Sequence, residues 1–299
     1  MASALTRPAT ALPGEVSGIR RAPGWWDRFR QQPTALVGLA LLLAITSVAL
    51  LAPWLSPGDP LAGVGPALAP PSAPHWLGTD DLGRDILAEL LHGARVSLFV
   101  GLAVAVIATL IGILVGALAG FFGGWVDDGL MRLTEFVLVL PRFFLAIIVT
   151  TFFGGSLLNI VFLLGLTFWP STARLLRAQI LSLREREFVV AARAVGATEP
   201  AILTRQVLPN AMPPVLVNAS LQVGGAILIE AGLSFLGLGD RSQVSWGYML
   251  NNAQPFILIA WWMSVFPGLA LLLTVVAVNL VADGLNEAWN PQLSDEVWR

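Results

Sequence analysis

The chain has no cysteine, no lysine, two histidines and one tyrosine among its 299 residues. The missing cysteine removes disulfides, thiolate nucleophiles and Cys-based metal sites together. His75 and His92 lie apart in sequence, so tight transition-metal binding within the chain is not expected. Without lysine there can be no Gly-x-x-x-x-Gly-Lys-Ser/Thr cradle, and ATP chemistry of that kind must reside in another chain. Charge is scarce as well. Only 12% of residues are charged against 56% hydrophobic, and the mean hydropathy is +0.76. A soluble domain of this length needs a charged, mixed surface, which these residues cannot cover, so a membrane protein is indicated. The formal net charge of −2 gives no reason to expect nucleic acid as a partner.

What is present in quantity is apolar sequence long enough to cross a bilayer, about 20 residues at a time. Six stretches qualify, at 34–55, 96–121, 134–153, 155–175, 213–238 and 258–282. The fold expected is all-α and polytopic, with six transmembrane helices. The N-terminal arginines Arg7, Arg20, Arg21, Arg28 and Arg30 precede no short apolar core with a cleavage site, so the first span should stay in the membrane. With the N-terminus inside, they join Arg132, Arg174, Arg177, Arg184, Arg186, Arg193 and Arg205 on the cytoplasmic side. Only Arg84, Arg95 and Arg241 remain outside among short segments, which predicts N-in and C-in. In the second span Gly112 and Gly116 form a small-xxx-small pair suited to close helix contact. A Phe-Gly-Gly-Ser turn between the third and fourth spans predicts an antiparallel hairpin. Trp261 and Trp262 fall where an interfacial aromatic belt is the default reading.

The expected organisation is a cytoplasmic tail at 1–33, the first span, an extracytoplasmic loop at 56–95, a permease core at 96–290 and a second tail at 291–299. Thr79 or Asp80 is placed to cap a short amphipathic helix in the first loop, running to about Leu91. The core contains a cytoplasmic loop at 176–212. There Phe188, Ala191, Ala192 and Val195 share one helical face at i, i+3, i+4, i+7 spacing. Gly196 interrupts, Ala197 or Thr198 stands at a cap position, and Pro200 suits a first turn. A second helix is expected to end at Leu208-Pro209-Asn210.

This loop resembles the signature of permease subunits of bacterial ATP-binding-cassette (ABC) importers: Glu-Ala-Ala, three residues, Gly, nine residues, an aliphatic position, one residue, then Leu-Pro. Ala191, Ala192, Gly196, Leu208 and Pro209 are in register, while Val190 replaces the Glu and Gln206 the aliphatic residue. Three further segments are similar to the dipeptide/oligopeptide/nickel type, second-subunit branch: His75–Leu98, the stretch from Trp169, and Glu230–Gly239 with the sequence after it. The resemblance implies a cytoplasmic coupling helix carrying Ala191, Ala192 and Gly196, where bulk should block docking onto an ATPase. It implies two partner ATPases that bind ATP and Mg, a second permease subunit, an extracytoplasmic substrate-binding protein, and a peptide or other small solute. The chain itself would hold no cofactor and catalyse nothing, and it would lie among the lipids of the bacterial inner membrane. Stretches 79–95 and 240–256 are candidate docking surfaces for the binding protein, or a lid over the bundle.

Charged residues within spans cost about 2.5–3.5 kcal/mol each at the helix centre and invite a reason. Glu230 is a candidate pathway-lining residue, or else a carboxylate hydrogen-bonded to a neighbouring helix or to the second permease subunit. Arg142 follows Pro141 in the third span, at a position usually apolar in the family it resembles. Anchoring by snorkelling, with Glu135 as a partner, is the first expectation and substrate contact the second. Nickel, glutathione or an opine remain alternative cargoes, and a stand-alone secondary transporter or channel an alternative class.

Overall fold

The computed structural model describes residues 24–289, and among them every regular element is helical apart from one isolated bridge between Thr79 and Asp85. The elements are α1 Trp25–Arg30, α2 Pro33–Leu55, α3 Ile86–Phe122, α4 Gly124–Val139, α5 Arg142–Phe153, α6 Leu157–Leu183, α7 Glu187–Ala194, α8 Glu199–Ile202, α9 Leu208–Phe235, α10 Trp246–Ala253 and α11 Trp262–Trp289. Five helices are long and apolar enough to span a membrane, and the bent pair α4 and α5 is a sixth when the two are taken as one broken span. Arg7, Arg20 and Arg21 and the 291–299 tail lie outside the described residues, while part of the 1–33 segment forms α1.

Three boundaries differ from expectation, each for a local reason. The third span is not one helix: α4 and α5 meet at 78° across Leu140–Pro141. Proline has no N–H for the helix ladder and pushes the residue before it out of the helical region, and Leu140 is extended. The 79–91 helix does not exist as a separate element either. Asp80 instead accepts from the amides of Leu82 and Arg84 in a turn, and Asp85 caps α3 through Leu87 and Ala88. From that cap α3 runs unbroken for 37 residues, through the second span. The third difference is at Leu208-Pro209, where no helix ends. A five-residue π turn, Leu203–Val207, joins α8 to α9, so Glu199–Phe235 is one helical rod of 37 residues. The widened turn accommodates the donor that Pro209 lacks.

Helices α3 and α6 form the centre of the bundle and run parallel. Gly112, Gly116 and Gly120 face Thr172, Ala173 and Arg177 in succession, so the small-residue stripe does set close packing. The turn at Gly154–Ser156 returns α5 into α6, with Ser156 as N-cap. Asp127 of α4 is bound bidentately by Arg177 of α6, which ties the third span to the bundle.

The bundle has two distinct ends. At one, α1 stacks on the end of α11, with Trp25 and Trp289 ring centroids 5.7 Å apart. Leu216 and Trp289 border the same groove, so the start of α9 and the loop before it share this end with both ends of the described chain. At the other, residues 56–85 fold down onto α10 and the start of α11. Arg84 donates to the Tyr248 hydroxyl at 2.9 Å and Trp262 to the Thr79 carbonyl at 3.0 Å; Trp246 of α10 also donates to the Leu90 carbonyl of α3 at 3.1 Å. Trp262 is thus buried in packing, and only Trp261 of the pair is exposed as an interfacial residue would be. Burial pushes the Asp80 carboxyl up, against the amide hydrogen bonds and the Arg84 charge that pull it down.

Candidate functional site

The loop between α6 and α9 is shorter than its sequence suggests, because α6 keeps its helix to Leu183. What remains is a compact two-helix cap on the bundle. Val189 and Ala192 of α7, Ile202 of α8 and Val207 of the π turn are buried with Ala117, Leu176, Ile180 and Ala211. This apolar cluster fixes the loop to the ends of α3, α6 and α9. The expected face Phe188-Ala191-Ala192-Val195 is therefore split. Ala192 turns inward with Val189, while Phe188, Ala191 and Val195 face outward, Val195 at 86% exposure.

Gly196 has a role that its place in the motif did not reveal. It sits at φ +84°, just past the end of α7. Its amide donates to the Arg193 carbonyl at 3.0 Å, and the Ala197 amide donates to the Ala192 carbonyl at 3.1 Å. Those two bonds are a Schellman C-cap, for which a left-handed residue is required and glycine is the cheapest. No atom approaches the space a side chain would take there. The cap aims the chain into Thr198, whose carbonyl accepts the first α8 bond from Ile202, although its hydroxyl caps nothing. An exposed ion pair, Arg193 to Glu199 at 2.9 Å, spans the turn. Helix-end glycine with a basic residue in the last turn is a readable sequence signal for this cap; the ion pair across the turn is not.

The outward surface holds Phe188, Val190, Ala191, Val195 and Gly196 together, all exposed. Val190, where the signature has Glu, makes this patch apolar rather than acidic. Leu208 is partly buried, Pro209 is exposed, and both lie beyond the π turn rather than on the patch. The signature residues thus fall into two groups, one presenting a surface and one shaping the joint behind it.

Glu230 is far from this loop, near the opposite end of α9, and only 2% exposed. Its Oε1 accepts from the Ser234 hydroxyl at 2.7 Å and from the Ser245 hydroxyl at 2.8 Å. Ser245 is the N-cap of α10, so the carboxylate ties α10 to α9. Its second oxygen has no partner within the described residues. Ser234, four residues on, was legible as a helical neighbour; Ser245 reaches Glu230 only through tertiary folding. Arg142 is not paired with Glu135, which is exposed on α4. Its guanidinium lies 4.6 Å from the centroid of the Phe168 ring in α6.

Residues 112–295 match the family model described as binding-protein-dependent transport system inner membrane component. Residues 24–75 match the N-terminal TM domain of oligopeptide transport permease C. The dipeptide transport system permease protein DppC of Escherichia coli K12 is 43% identical over 277 residues, covering 90% of this chain and 92% of that one. The di/tripeptide transport system permease protein DppC of Pseudomonas aeruginosa UCBPP-PA14 is 41% identical over 281 residues, with 91% and 92% covered. Among solved structures, an inward-facing form of the MetNI methionine ABC transporter superimposes with a TM-score of 0.54 at 19% identity. It covers 68% of this chain and 95% of that one, a likeness of fold.

Proposed function

Since the chain belongs to the family of binding-protein-dependent transport system inner membrane components, we propose that it forms half of the pathway by which an ATP-driven importer carries di- and oligopeptides. The family is that of ABC permease subunits, and this one is a multi-pass protein of the bacterial inner membrane. The observation carrying the peptide reading is end-to-end similarity to permeases named for dipeptides, across about nine-tenths of both chains.

The other half of the pathway is a second, related permease chain. Two ATPase subunits supply the nucleotide chemistry, for which this chain has neither lysine nor cradle. The end bearing both ends of the described chain and the α7–α8 loop is cytoplasmic, in keeping with the arginine bias. The exposed patch around Ala191 and Gly196 docks one ATPase, with Ala192, Leu208 and Pro209 holding the loop's shape beneath it. Closure of the ATPases then biases a bundle with two arrangements, one open to each side. At the outer end, the 79–95 and 240–256 segments form one packed unit on which a peptide-laden binding protein can settle. Glu230 serves this unit as its tie to α9.

Uptake of labelled di- and oligopeptides, with nickel measured in parallel, by cells with and without the gene tests the reading. Loss of peptide uptake on deletion, restored by the gene, is expected. Unchanged peptide uptake would remove the peptide assignment, and loss of nickel uptake alone would replace it.

A further inference from the structure

Arg142 is a charged group in the middle of a span that neither the docking loop nor the outer unit uses. It begins α5, immediately after the break at Leu140–Pro141. Ala146 and Thr150, four and eight residues on, are the buried positions of this helix, and Phe144, Ile148 and Phe152 on the other side are exposed. Arg142 thus stands on the face turned to the bundle rather than to lipid. It is half-buried and lies against Phe168, a ring only 4% exposed. Its guanidinium forms no ion pair and no hydrogen bond among the described residues. An aromatic face attracts the cation but leaves its five N–H donors without acceptors.

Depth excludes the usual partner of a membrane arginine. Phe168 is eleven residues into α6, about 16 Å along the helix from its outer end. That is mid-depth in a hydrocarbon core of about 30 Å, far from lipid phosphates on either side. The backbone next to it points the same way. Pro141 is exposed on the chain's surface at a non-helical joint. Irregular backbone at this depth is tolerated only where protein covers it or where it borders a water-filled cavity.

We infer that Arg142 is a substrate-contacting residue, whose guanidinium takes up a carboxylate of the solute as it passes the midplane. For a peptide this is the C-terminal carboxylate, so the inference rests on the peptide reading above. The planar fork of arginine suits a carboxylate with two parallel hydrogen bonds, and Phe168 holds the cation in place between transport events. An acidic side chain of the companion permease is the competing acceptor, and the experiment separates the two.

Uptake of a labelled dipeptide and of its C-terminal amide is measured in cells carrying the whole transporter, as wild type, Arg142→Met and Arg142→Lys. The binding protein is the same in all three, so its own preference cancels in the comparison. Assembly of the complex and its basal ATP hydrolysis are checked in parallel. In Arg142→Met the ratio of acid to amide uptake should fall at least about tenfold, through KM for the acid. Arg142→Lys keeps the charge without the fork and should fall between. An unchanged ratio in an assembled Arg142→Met complex, whether both rates persist or both drop, overturns the inference; only a drop in both rates points to an acceptor on the companion chain. If Arg142→Met fails to assemble, Arg142→Lys decides: a wild-type ratio there overturns the proposal, and a reduced one supports it. A wild type that imports no dipeptide is a different failure, that of the peptide reading itself.

Discussion

At Gly196 two demands meet at one residue, and substitutions can pull them apart. Alanine there faces open space but must adopt φ +84°, so Gly196→Ala should cost about 1 kcal/mol of local stability and leave most uptake intact. Gly196→Trp adds bulk to the outward patch and should abolish uptake while the protein still inserts in the membrane, as read by membrane-fraction immunoblots. Wild-type uptake by that variant would end the docking assignment. Glu230 invites a different contrast. Glutamine keeps the oxygen that receives both serine hydroxyls, so Glu230→Gln should transport at the wild-type rate with unchanged substrate preference. Glu230→Leu leaves the Ser245 cap without its acceptor and should lower stability by about 1–3 kcal/mol. A changed substrate preference in Glu230→Gln would instead put this carboxylate on the pathway.

Among the elements, the α3–α6 pair is where packing leaves least room. A Cβ on Gly116 would stand 2.6 Å from the Ala173 carbonyl oxygen, which belongs to backbone and cannot swing aside. Gly116→Ala should therefore destabilise the detergent-solubilised protein by about 1–3 kcal/mol in thermal unfolding. Gly129 on α4 has nothing near it, and Gly129→Ala should be neutral or slightly stabilising. The spans were readable because apolar length is a one-dimensional signal, and the glycine spacing on α3 announced its own packing. The failures came where one residue's backbone chemistry overrides a hydropathy window. Pro141 split a span whose side chains read as continuous, and Asp85 rather than Asp80 took the cap because Asp80 was already engaged in its own turn. In the α7–α8 loop the register of Ala191 and Gly196 was plain, yet inward Ala192 and outward Ala191 are adjacent in sequence, and which faces the bundle depends on the entry angle from α6. Arg142 was visible as an anomaly, but that it meets a ring and no carboxylate among the described residues is a fact of three dimensions.

For the whole molecule, both ends of the described chain meet at the end bearing the α7–α8 loop, as an even number of crossings requires. Reporters active only in the cytoplasm, fused to either terminus, should both be active; one silent fusion would remove a crossing, and two would reverse the assigned orientation. The rod from Glu199 to Phe235 runs the full depth of the bundle, about 55 Å at helical rise. Its lower end is bound into the loop by Ile202 and Val207, and its upper end is latched to α10 through Glu230 and Ser245. Such a member behaves as a crankshaft with one bearing at each end of the bundle. A displacement of the α7–α8 loop would be felt at α10 without any signal being relayed from residue to residue, because both are fastened to the same shaft.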